Sequence, residues 1–133
     1  MVQRACRSRR WCFSGVTFEE QIIDALDHVG AARNGVPVTV SLKNGKEVTT
    51  IPDLWDKTVV GIVEAKNVKY LSNSDQLRAQ LRAAEAFGQP FNLVVSPNTR
   101  PTKPLEREIR RINELVGGGI YRFDPATGLI TDF

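Results

Sequence analysis

Residues 51–66 read I-P-D-L-W-D-K-T-V-V-G-I-V-E-A-K. Within them residues 59–63 form an apolar run between charged flanks, the pattern of a buried strand. Side chains two apart on a strand share a face, so Glu64 and Lys66 project together from its end. A carboxylate and an ammonium beside Val and Ile cost several kcal/mol unless each has a partner. An acid-x-Lys pair at the tip of a buried strand therefore marks a candidate site, and Asp53 stands eleven residues upstream of Glu64, just after Pro52.

The rest of the chain supplies a frame for that strand. Thr17 followed by Glu20 is a capping box opening a first helix, with Phe18, Ile22, Ala25, Leu26 and Val29 as its apolar stripe. Capping accounts for Glu20, whereas Glu19 lies at the stripe's edge, where it either faces the sheet or complements the helix dipole. His28, the only histidine, sits where a cation is favoured and has no nucleophile partner nearby. Residues 36–42 and 47–53 read as two strands joined at Asn44-Gly45, the strongest short hairpin signal, with Pro52 at an edge or bulge. Asp56-Lys57 reads as a turn into a third strand, residues 59–67.

A helix capped by Ser72 or Ser74 follows, ending at Gly88, with Gln76, Leu77, Gln80, Leu81, Ala84 and Phe87 on one side. Residues 91–96 (F-N-L-V-V-S) are a short buried strand, completing the order that forms a right-handed parallel crossover. Pro104 fits the first turn of a last helix with core positions Leu105, Ile109, Ile112 and Val116. Gly117-Gly118-Gly119 breaks it ahead of a strand at 120–123, a turn at 124–128 and a final segment at 129–133. Those glycines follow a helix instead of opening one, so they are no phosphate loop.

At 133 residues, 41% hydrophobic and 25% charged, the chain fits one domain with an ordinary core. A formal charge of +3 and a pI near 9.1 permit a nucleic-acid partner without requiring one. Cys6 and Cys12 lack the spacing of a zinc site or a disulfide framework. No apolar run approaches the length of a membrane span, and none follows the N-terminal arginines as a signal sequence would. Residues 1–14 carry Arg4, Arg7, Arg9 and Arg10 with Trp11 and Phe13. They read as a phosphate clamp or, more plainly, as a linker ahead of a single domain at 15–133.

Pro52-Asp53, then Glu64-Ala65-Lys66, resembles the pattern of the PD-(D/E)xK nucleases. The order α-β-β-β-α-β then α-β, a mixed α+β arrangement, resembles the restriction-endonuclease-like core, with a mixed central sheet flanked by helices. The run G-I-V-E-A-K-N-V-K-Y-L, the segment Asp75-Gln76-Leu77-Arg78 and the later F-N-L-V-V-S resemble the restriction-endonuclease-fold toxin domains of bacterial polymorphic and contact-dependent toxins. The resemblance spans residues 16–123. It implies that Asp53, Glu64 and the Ala65 carbonyl bind Mg2+ or Mn2+, that Lys66 is catalytic, and that Glu19 and Gln76 (Gln80 less directly) contribute. It also implies a cognate immunity protein, a role in competition between bacteria, action in the target cell's cytoplasm, and an artificial start at Met1 on a longer secreted or cell-surface effector. Arg78, Lys69, Arg107 and Arg111 are candidates for nucleic-acid contact. DNA is the leading substrate; a tRNA-cleaving toxin and a non-catalytic nucleic-acid-binding module are the rivals.

The spacing sets one geometric condition. A tight turn at Asp56-Lys57 would leave Asp53 four residues, on the order of 13 Å, from Glu64. Sharing one cation requires a turn centred nearer Thr58, or a bend of the strand at Pro52.

Overall fold

A computed structural model describes residues 17–26, 34–56 and 60–133, the side chain of Asp56 excepted. The arginine-rich segment, both cysteines, His28, Val29 and Lys57 lie outside these residues.

Helix α1 (Phe18–Leu26) starts on the expected capping box: the Glu20 N–H donates to Thr17 Oγ1 at 3.1 Å, and the Thr17 N–H donates to Glu20 Oε1 at 3.0 Å. Strands β1 (Val38–Ser41) and β2 (Glu47–Thr50) are antiparallel and joined through Asn44-Gly45, with Gly45 at φ 86° as that turn requires. This hairpin is a sheet of its own, packed through Val40, Leu42 and Val48 on Ala79 of the following helix.

Here the structure corrects one expectation. The strand read over 47–53 does not continue into the main sheet as one piece. After Thr50 the chain breaks at Ile51-Pro52-Asp53 and restarts as β3 (Leu54–Asp56) with a new partner, β4 (Gly61–Lys66). Pro52, having no N–H to donate, sits at the switch between the two ladders. Asp56 belongs to β3 and not to a turn.

β4 leads through the two-residue β5 (Tyr70–Leu71) into α2 (Asp75–Phe87). Ser74 caps α2 by accepting from the Leu77 N–H at 3.2 Å, and Gly88 closes it in the left-handed conformation at φ 64°. Next come β6 (Phe91–Val95), β7 (Arg100–Pro101), α3 (Lys103–Val116), β8 (Gly118–Asp124) and β9 (Leu129–Asp132). The glycines after α3 open a strand, since β8 begins at Gly118.

The main sheet has the order β3-β4-β6-β8-β9, with β4, β6 and β8 parallel and both edge strands antiparallel; β5 and β7 form a small parallel ladder apart. The two crossovers step in the same direction, which puts α2 and α3 on one face. That face buries Ile62, Leu93, Val95 and Ile120 under Leu77, Leu81, Leu105, Ile109 and Ile112. The other face carries Val63, Val94 and Phe123 under Ile22 and Phe18 of α1. Strands covered on both sides are apolar nearly throughout, which is why Ile62-Val63 and Leu93-Val94-Val95 lack a polar alternation. Gly61 is required where it stands: its φ is 80°, and a Cβ would collide with the carbonyl oxygen of Pro90.

Candidate active site

The register of β3 on β4 decides what the acids can do together. Leu54 faces Val63, Trp55 faces Ile62 and Asp56 faces Gly61, so the pairing is symmetric about positions 58 and 59. The condition for bringing Asp53 beside Glu64 is therefore met: continuing that register puts Asp53, just past the break at Pro52, level with Glu64.

In the parallel ladder Glu64 is level with Leu93 and Lys66 with Val95, both of which belong to the α2–α3 face. Glu64 and Lys66 thus point to that face, as alternation along β4 demands. The Asp53 N–H donates to Glu64 Oε1 at 3.2 Å, and the Ala65 N–H donates to Asp53 Oδ2 at 2.8 Å. Lys66 Nζ lies 3.2 Å from Glu64 Oε2. Each carboxylate accepts from a backbone N–H at or beside the other acid, and the lysine closes the group. Glu64 is 5% exposed; Lys66 reaches the surface.

Electrostatically the pair is strained. Burial, then the charge of Glu64, raise the Asp53 carboxyl from an ordinary 3.8 to about 6; the Ala65 N–H and Lys66 oppose this. The two carboxyls also lie within hydrogen-bond reach of each other. A proton or a cation between them relieves their repulsion. Among the described residues no third Asp, Glu, His or Cys joins them. A hard cation here would complete its shell from neutral oxygens, which suits an ion that keeps several waters.

The other candidates divide. Gln76 is exposed, and its Nε2 donates to the Thr49 carbonyl at 3.3 Å, not to the acids. Gln80, the less direct candidate, is the buried one: its Nε2 donates to Thr50 Oγ1 at 3.1 Å, and its Oε1 is buried without a partner. It ties α2 to the strand end that leads into Asp53. Glu19 is half-buried on α1, which packs on the Val63 face, across β4 from Glu64 and Lys66. Arg78 is exposed and paired with Asp75 at 3.2 Å. Arg111 is held by Glu108 at 2.8 Å and approaches Glu85 of α2 at 3.6 Å, so its charge is largely spent; Arg107 lies on the exposed side of α3.

Two concave regions matter. A groove of about 520 Å³ between the hairpin, α2 and α3 is bordered by Lys43, Arg78 and Arg111, but not by Asp53, Glu64 or Lys66. A cleft of about 1010 Å³ at the carboxyl ends of β4, β6 and β8 begins at Asn67, directly after Lys66, and includes Lys69, Arg100 and Arg122. Arg122 was not a sequence candidate. Its Nη1 donates to the carbonyls of Ser96, Pro97 and Thr99 at 2.9, 3.1 and 3.0 Å, and its guanidinium lies over Phe133. Nothing local in the sequence signals that role, because the three carbonyls are more than twenty residues away.

No helix among the described residues is long and apolar enough to cross a membrane. No curated protein and no solved structure matches the chain. The model of the family described as restriction endonuclease fold toxin 7 matches residues 15–105, from the start of α1 into the first turn of α3, and so includes both acids and the lysine. With that match over two thirds of its length, and with the mixed sheet flanked by helices, the chain belongs to the restriction endonuclease fold toxin 7 family.

Proposed function

We propose that residues 15–133 form a single divalent-metal-dependent nuclease domain that hydrolyses phosphodiester bonds in DNA as the toxic part of a bacterial effector. The observation that carries this reading is the interlocked trio: Asp53 and Glu64, each carboxylate accepting from a backbone N–H at or beside the other acid, with Lys66 Nζ 3.2 Å from Glu64. The two carboxylates, with the Ala65 carbonyl, are the residues to hold Mg2+ or Mn2+; their mutual repulsion and the raised Asp53 pKa fit a site made for a cation. When bound, the metal supplies charge neutralisation of the phosphate and acidification of a water. Lys66, partly exposed at the edge of the trio, orients that water or donates to a phosphate oxygen. Gln80 acts on the reaction only through Thr50 and the segment leading to Asp53. Of the cationic candidates, Lys69 borders the cleft that begins beside Lys66 and suits phosphate contact best.

A cognate immunity protein, delivery from a larger secreted or surface effector, and action in the cytoplasm of a competing bacterium complete the reading; family membership supports them. A tRNA substrate is the second reading, favoured by the exposed aromatic ring beside the cleft described below. In a non-catalytic binding module the Glu64–Lys66 contact would be only a structural ion pair.

The test is to incubate the domain with plasmid DNA and with total tRNA, with and without Mg2+. Metal-dependent cleavage lost in Glu64→Gln and Lys66→Ala is the expected result. Full cleavage by either variant, or in excess chelator, would remove the proposed site; binding without cleavage of either substrate would leave the binding module.

A further inference from the structure

Beside the cleft at the carboxyl ends of the parallel strands, the β5–β7 ladder sets Tyr70 level with Arg100. Registered partners in a parallel ladder face the same side, so Tyr70 projects to the side of Arg100, which borders the cleft, and follows Lys69, which also borders it. Tyr70 is 68% exposed, unusual for a ring in a strand, although the Lys69 ammonium lies 5.4 Å from its centroid. Neither Lys69 nor Arg100 has a carboxylate partner among the described residues, whereas Arg78 and Arg111 both do. The one acid bordering the cleft, Asp124, turns its carboxylate onto the Ala126 N–H at 2.9 Å. Opposite, the 96–99 loop is held rigidly by Arg122 and by the 2.7 Å bond between Ser96 Oγ and Thr99 Oγ1.

The exposed ring thus lies beside one cation and in register with another, both bordering a preformed cleft and neither with a carboxylate partner among the described residues. That arrangement has the chemistry that holds a single strand: bases stack on aromatic faces while phosphates meet the cations. In a duplex the base faces are covered by their neighbours, and an exposed ring gains nothing from them. We propose that Tyr70, Lys69 and Arg100 form a platform for an unpaired nucleotide of the substrate strand, its base stacked on Tyr70 and its flanking phosphates on Lys69 and Arg100. The inference rests on the nuclease reading and narrows it. The substrate is cut where it is single-stranded, and that strand is either unpaired DNA or a loop of folded RNA. Both share this chemistry.

The experiment measures binding by fluorescence anisotropy in the Glu64→Gln background, with a twelve-residue oligo-dT, a twelve-residue oligo-U and a twelve-base-pair DNA duplex. Tyr70→Ala is expected to weaken strand binding about 5- to 150-fold, the range for loss of one stacked base, with the duplex unaffected. Tyr70→Phe is expected to bind like its parent. Lys69→Ala combined with Arg100→Ala is expected to lower the slope of log affinity against log salt by about 1.4, two phosphates on a single strand. A preference for oligo-dT or oligo-U that Tyr70→Ala removes supports the platform and identifies which strand it serves. Strand binding that both variants leave unchanged would overturn the platform alone, as would a duplex bound more tightly than either strand. A parent that binds no oligonucleotide would overturn the platform and the nuclease reading together. Tyr70 is exposed, so its variants are expected to keep the parent's melting temperature within a few degrees, which separates lost binding from lost fold.

Discussion

Replacing Asp53 by asparagine should make the metal-free protein more stable. Its carboxyl is pushed from 3.8 to about 6 by burial and by Glu64, so ionising it in the fold is unfavourable. Two units correspond to about 3 kcal/mol, and because Asp53 is only half-buried, solvent screening reduces this to about 1–2 kcal/mol. The amide keeps an oxygen for the Ala65 N–H and offers its NH2 to Glu64, so no buried group loses a partner. The folded-state pKa lies above the unfolded one, so protonated Asp53 carries no penalty below pH 3.8. The penalty grows between 3.8 and about 6 and is complete above 6. Thermal melts in chelator should therefore show Asp53→Asn about 3–8 °C above the parent at pH 8 and equal to it near pH 3.5. In excess Mg2+ the order should reverse, since only the carboxylate gains from the cation. A variant melting at or below its parent at pH 8 without metal would mean that the acids do not repel one another, and the case for a cation site would lose its physical basis.

Removing the ammonium with Lys66→Ala should lower the cleavage rate by about two to three orders of magnitude, with Mg2+ binding by calorimetry nearly unchanged. Mg2+ affinity should fall up to tenfold per unit below pH 6 as the cation displaces the Asp53 proton, and level off above; titrations at fixed ionic strength would read this. Gly61→Ala, forced against the Pro90 carbonyl at a positive φ, should cost about 2–4 kcal/mol in urea unfolding. Gln80→Leu should cost roughly 1–3 kcal/mol by stranding the buried Thr50 hydroxyl, while Gln76→Ala should stay within about 0.5 kcal/mol, since its side chain is exposed.

The parts of the fold legible in the sequence are those with local causes. The Thr17–Glu20 box, the Asn44-Gly45 turn, Ser74 and Gly88 each act within a few residues, and each stands where its chemistry requires. The Glu64–Lys66 pair was legible because strand alternation needs no knowledge of the partner strand. The joining of Asp53 to it was legible only as a condition, since register depends on a turn that the residues 56–58 do not dictate. The switch of ladders at Ile51-Pro52-Asp53 was missed because both halves have equally good strand composition, and partner choice is a tertiary decision. Gln76 and Gln80 border the same helix face; only the position of Thr50 separates the exposed one from the buried one. Tyr70 beside Arg100 depends on a two-residue ladder between segments thirty residues apart, which leaves no local trace.

The bonds that interlock the two acids span only 11 and 12 residues of chain. The pairing of β3 with β4 is enough to close them, whereas β6 and β8 come from farther along the chain. In that ladder by itself water would bathe both carboxyls and screen their repulsion. Joining the acids is thus a local matter of one ladder, whereas the burial that raises the Asp53 carboxyl depends on the whole sheet and its helices.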